Sequence, residues 1–80
     1  MLAQMRAVIF VFYDKFKYLC EKNNTTVTAT TLKLGFSKGN IKYWRDGKTP
    51  TGDALLKIAN HFDCSVDYLL GRTDNPEFNR

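Results

Sequence analysis

Eighty residues with 44% apolar and 25% charged side chains make one small soluble-type domain with short arms, too short to bury a large core. The net charge of +4 is unevenly spread: residues 1–48 hold nine Lys/Arg against three acids, giving +6, and residues 49–80 hold three against five, giving −2. The longest apolar run, Ala7 to Tyr13, falls far short of the roughly 20 residues a bilayer requires. Asp14, Lys15 and Lys17 follow it where a signal peptide would place a small-residue cleavage site, so the expected location is cytoplasmic.

In chain order, Phe12, Phe16, Leu19 and Cys20 fall on one helical stripe, with Lys15, Lys17, Glu21 and Lys22 off it. Asn23-Asn24 ends this first helix, since asparagine tolerates the left-handed turn. Thr26 is the expected N-cap of a short second helix. Ala29 and Leu34 are expected to supply its packing, and Gly35 stops it. Ser37 caps a third helix, Lys38 to Arg45, with Ile41 and Trp44 inward at i and i+3, and Asp46-Gly47 closes it.

The segment Lys48-Thr49-Pro50 connects to a fourth helix starting near Thr51 to Asp53. That helix carries Leu55, Ile58, Ala59 and Phe62 on one face. Ser65 caps a fifth helix, Val66 to Leu70, and Gly71 terminates it. Arg72 to Arg80 lacks periodicity and is expected as a loose tail or the start of a linker. No repeat and no strand-like alternation occurs, so the expected class is all-α with five helices.

Catalysis finds no support, because no Ser-His-Asp set, carboxylate pair or phosphate-cradling glycine loop is present. Two cysteines and one histidine make neither a zinc site nor a disulfide framework. Cys20 and Cys64 are therefore expected in the core, and His61 on the surface. No metal, cofactor or small-molecule substrate is expected. The third helix is the informative element. Lys38, Asn40, Lys42, Tyr43 and Arg45 face outward with no carboxylate until Asp46, while Ile41 and Trp44 anchor the other side. That division suits a helix presenting donors to the major groove of DNA.

The segment Leu34-Gly35-Phe36-Ser37 through Ile41, Trp44 and Gly47 resembles the helix-turn-helix of the Cro and phage-repressor (xenobiotic-response-element) family. Pro50, Leu55, Ile58-Ala59, Phe62 and Ser65-Val66-Asp67-Tyr68-Leu69-Leu70-Gly71 extend the resemblance through that family's fourth and fifth helices. It covers residues 12–73 and implies a lambda-repressor-like, five-helix DNA-binding domain at 12–71. An N-terminal extension at 1–11 precedes it and a tail at 72–80 follows. The resemblance implies double-stranded DNA as partner, a homodimer on a palindromic operator, and transcriptional regulation, by family habit repression.

Residue by residue, the family's base-reading positions fall on Lys38, Gly39 and Tyr43. Since Gly39 has no side chain, Lys38, Lys42 and Tyr43 are expected to do more of the reading. Phosphate contacts fall on Ser37, Asn40, Lys48 and Thr49, and on Thr26 and Val27 at the start of the second helix. Arg45 faces a phosphate or the neighbourhood of Asp46. Tyr68, Leu69 and Leu70 are expected partly in the core, and they match a dimer surface of that family. The sequence departs from the family at Thr30 and Thr31, where an apolar residue and then alanine are usual. The Thr31 hydroxyl is expected to bond the carbonyl one turn back.

Residues 1–10 lie outside the resemblance and have three readings: an extension of the first helix, a surface for a partner centred on Val8, Ile9, Phe10 and Val11, or a start codon placed too early. That apolar arm also supports an alternative in which the scaffold is an antitoxin-like or adaptor module gripping a protein.

Overall fold

The computed structural model describes the backbone of residues 2–75 and 77, with side chains from Val11 onward. Five helices follow one another: α1 (Leu2–Lys22), α2 (Val27–Lys33), α3 (Lys38–Arg45), α4 (Gly52–Phe62) and α5 (Val66–Leu69). There is no strand among the described residues, and the fold is all-α. None of the described helices is long and apolar enough to cross a membrane.

The helix ends follow from local chemistry. Thr26, Thr51 and Ser65 each accept a first-turn amide with the side-chain hydroxyl, from Ala29, Ala54 and Tyr68. At the other ends, Asn24, Gly35, Gly47, Asp63 and Gly71 all take positive φ. In each case the next residue's amide reaches the carbonyl five positions back, as Thr25 does to Cys20 and Phe36 to Thr31. This closure satisfies carbonyls that the helix leaves without partners.

α1 begins at Leu2 rather than near Phe12. The apolar run before Phe12 has no polar spacing to mark a stripe, while Leu2, Ala3, Gln4, Met5, Arg6 and Ala7 are strong helix formers. The side chains of Val8, Ile9 and Phe10 lie outside the described residues. Val11 is half-buried. Among the tail residues, 72–75 and 77 are non-helical, with Arg72 near Asp67 at 3.9 Å on the surface. The remainder lies outside the described residues.

α1 packs against α2, α3 and α5, α2 against α3, and α4 against α5. The core between them joins Phe12, Phe16, Leu19, Cys20, Trp44, Leu55, Ile58, Cys64 and Leu69. Both cysteines are buried free thiols, and burial pushes Cys64 up from 9.0 to about 11, with Asp63 adding to the shift. Burial likewise raises Cys20.

α2 packs differently from expectation. Ala29 is exposed and Leu34 only half-buried, whereas Thr30 and Thr31 are buried. The shift follows from the helix phase set by the Thr26 cap, which turns positions 30 and 31 toward α1 and α3. Thr30 Oγ1 accepts the Cys20 thiol at 3.6 Å. Thr31 Oγ1 has no partner, so the expected bond to the carbonyl one turn back is not made.

Candidate nucleic-acid interface

α3 is held by one side chain above all. Trp44 is 4% exposed and stands edge-on to three aromatic rings: Phe12 at 5.6 Å, Phe16 at 5.9 Å and Phe36 at 5.8 Å. Such edge-to-face contacts add to the hydrophobic gain and fix orientation. They tie α3 both to α1 and to the turn between α2 and α3. Ile41 completes the buried side of the helix. The Lys57 ammonium lies 5.4 Å from the centre of the Phe36 ring and joins α4 to the same turn.

With Ile41 and Trp44 inward, Lys38, Gly39, Lys42, Tyr43 and Arg45 are all exposed. Tyr43 keeps 59% of its surface in solvent. No ion pair among the described residues involves Lys38, Lys42 or Arg45, so Arg45 is not engaged by Asp46. At the start of the helix, Asn40 Oδ1 accepts both the amide and the hydroxyl of Ser37, each at 3.1 Å. That capping arrangement occupies the Asn40 oxygen and leaves its amide nitrogen to donate outward.

The loop after α3 comes back alongside it. Asn40, Tyr43, Lys48 and Thr49 line one open groove of about 210 Å³ over Trp44 and Pro50. The structure thus brings together residues of α3 and of the following loop that are separate in sequence. At α2, Thr26 is exposed with its oxygen accepting the Ala29 amide. Val27 packs against the core and is half-buried. In the fifth helix, Leu69 is fully buried and Tyr68 nearly so, and Lys15 lies 4.4 Å above the Tyr68 ring. Of the three residues on the matched dimer surface, Leu70 is the one that keeps part of its surface.

The helix starts differ in charge. α4 and α5 carry Asp53 and Asp67 in their first turns, as the positive end of a helix favours. α2 and α3 carry no acid there, and Lys33, Lys42 and Arg45 stand in their last turns. The sequence reading did not register this contrast, although it is visible once helix boundaries are known. It also missed a second hollow of about 330 Å³ lined by Asn23, Thr25, Lys33 and His61, which joins the loop between α1 and α2, α2 itself and the end of α4, residues far apart in sequence. Among the described residues, no group of three or more His, Cys, Asp or Glu is placed to hold a metal ion.

A capped short helix, a glycine-closed turn and a basic, carboxylate-free helix on an aromatic anchor define a small all-α helix-turn-helix domain. Two curated proteins of Bacillus subtilis (strain 168) are similar to this chain. One is an uncharacterized HTH-type transcriptional regulator, YobD, 31% identical over 68 residues, which are 84% of this chain and 61% of the relative. The other is the HTH-type transcriptional regulator ImmR, 36% identical over 55 residues, 68% of this chain and 43% of the relative. The matches support a helix-turn-helix regulator family for this chain, and both relatives are named as regulators rather than enzymes. The matched part spans about three fifths of the first relative and under half of the second. No protein-family model matches the chain, and no solved structure does.

Proposed function

We propose that this chain binds double-stranded DNA through α3 and regulates transcription as a repressor of the Cro and phage-repressor type. The observation that carries the reading is the outward side of α3, where Lys38, Lys42, Tyr43 and Arg45 are exposed without a carboxylate among them. The groove of Asn40, Tyr43, Lys48 and Thr49 adjoins it. On this reading Lys38, Lys42 and Tyr43 meet base edges in the major groove. Ser37, Asn40, Arg45, Lys48 and Thr49 meet phosphates, joined by Thr26 and the Val27 amide at the start of α2. Residues 12–71 form the DNA-binding unit, 1–11 an extension and 72–80 a tail or linker, and the site of action is the cytoplasm.

The protein acts as a homodimer on a palindromic operator, with half-sites about one helical turn apart. Leu70, and what Tyr68 leaves exposed, contribute to the contact between copies. Selection of the purified protein against a random duplex library at physiological salt tests this. The expected outcome is enrichment of an inverted repeat. Enrichment of a single half-site would remove the dimer from the reading. Recovery of no motif would contradict sequence-specific binding and favour the antitoxin-like or adaptor role.

A further inference from the structure

The hollow of about 330 Å³ beside α2 shares no lining residue with the groove along α3. It draws on three elements: Asn23 and Thr25 precede α2, Ala29 and Lys33 come from one side of it, and His61 and Phe62 end α4. The helices that pack together are α1 with α2, α3 and α5, α2 with α3, and α4 with α5. α2 and the end of α4 share the hollow without being one of these pairs.

The polar groups around it are donors. Lys33 is exposed and takes part in no ion pair among the described residues, and its ammonium has three hydrogens to donate and no acceptor. His61 is exposed and offers a ring N–H. Asn23 Nδ2 donates one hydrogen to the Leu19 carbonyl at 2.7 Å, which orients the amide and leaves its second N–H. Thr25 is half-buried and adds a hydroxyl. No Asp or Glu lines the hollow, so nothing within it neutralises Lys33.

The remaining surface is apolar. Phe62 is half-buried, with its ring 6.2 Å from Phe16 and edge-on to His61 at 4.8 Å, and Ala29 adds a methyl. A volume of about 330 Å³ stands at the lower end of the roughly 300–1,000 Å³ in which clefts seat small organic molecules. A bare inorganic anion would leave most of that space, and the Phe62 ring, without contact.

We propose that this hollow is a binding site for a small aromatic carboxylate. The carboxylate accepts from Lys33 and His61, with Asn23 and Thr25 completing its hydrogen bonds. The ring of the ligand packs on Phe62 and Ala29. Bound there, the ligand ties α2 to the end of α4. The site does not rest on the DNA-binding reading. A phosphate of the DNA backbone shares the anionic chemistry, since Thr25 adjoins Thr26, but it lacks a ring to cover Phe62.

The test follows the backbone amide resonances of the isotope-labelled full chain during titration with benzoate, benzamide and inorganic phosphate. Benzoate is expected to move the amides of Thr25, Lys33 and His61 saturably, with a dissociation constant in the millimolar range open to so small a ligand. Benzamide keeps the ring without the charge, and phosphate keeps charge without the ring. Each should bind at least about fivefold more weakly. Lys33→Gln and His61→Ala should each weaken benzoate by about threefold to fivefold, the size of one solvent-screened contact. Lys17→Gln, exposed on α1, should leave benzoate binding unchanged. All three side chains are exposed, so the variants are expected to melt with the wild type.

Benzoate that produces no saturable shift, or shifts spread over α1 and α3 instead of the hollow, overturns the site. So does benzoate affinity that both Lys33→Gln and His61→Ala leave unchanged. Benzamide that binds as well as benzoate overturns the role of the carboxylate. Phosphate that binds as tightly as benzoate and is displaced by a short duplex would make the hollow a seat for the DNA backbone instead.

Discussion

Two neighbouring threonines of α2 are buried to 2% and 0% exposure, yet their hydroxyls meet opposite fates. Thr30 Oγ1 receives the Cys20 thiol, a weak but matched partner. Thr31 Oγ1 is enclosed with none, and an enclosed hydroxyl without a partner loses the water it bonds in the unfolded chain. Valine has nearly the shape of threonine and no hydroxyl to desolvate. Thr31→Val is therefore expected to raise unfolding free energy by about 1 kcal/mol, read from urea denaturation. Thr30→Val, which strips a partner from Cys20, should give no such gain. A Thr31→Val protein less stable than the wild type would mean that the hydroxyl has a partner after all. The sequence pointed to this position as a departure and named the wrong remedy, because the phase of a seven-residue helix decides which carbonyl a hydroxyl reaches.

At the level of elements, the joint between α1 and α5 is set by Gly71. Its φ is +77°, and a Cβ there would stand 2.6 Å from a Val11 methyl, closer than real atoms approach. Gly71→Ala thus combines backbone strain with a clash and is expected to cost about 2–3 kcal/mol, measured as a lowered denaturation midpoint. Adding Val11→Ala should restore the steric share and leave the strain. A Gly71→Ala protein as stable as the wild type would contradict this packing. Helix ends of this kind were legible in the sequence, since Asn24, Gly35, Gly47 and Gly71 can adopt the left-handed turn at little cost and Thr26, Thr51 and Ser65 can cap. The start of α1 was not legible, because no cap and no polar spacing mark it. The depth of α5 was legible in part: Tyr68, Leu69 and Leu70 read as partly core, and the docking against α1, with Lys15 over Tyr68, decides that Tyr68 and Leu69 are the buried pair.

Across the whole molecule, the charge split of +6 in residues 1–48 and −2 in residues 49–80 places the basic half with the helix-turn-helix. The outward residues of α3 could be read from spacing alone, once Ile41 and Trp44 were taken as its inward pair. The union of Asn40 and Tyr43 with Lys48 and Thr49 in one groove could not, because it depends on how Pro50 and the loop return along the helix. The same holds for Lys57 over Phe36, a contact between residues 21 apart in sequence that no local pattern encodes. In the proposed binding mode Lys38 and Lys42 meet bases and Lys48 meets a phosphate. Changing the first two should therefore relax sequence preference, while changing the third should weaken all duplexes alike.

The most direct measurement is the affinity for duplex DNA as a function of salt, for the wild type and for Lys38→Ala, Lys42→Ala and Lys48→Ala. The expected result is a steep log–log fall of about 0.9 per neutralised phosphate, shallower by about one phosphate in Lys48→Ala, with preference between duplexes reduced in the other two. Binding that ignores salt, or that all three substitutions leave untouched, would contradict the placement of α3 on DNA.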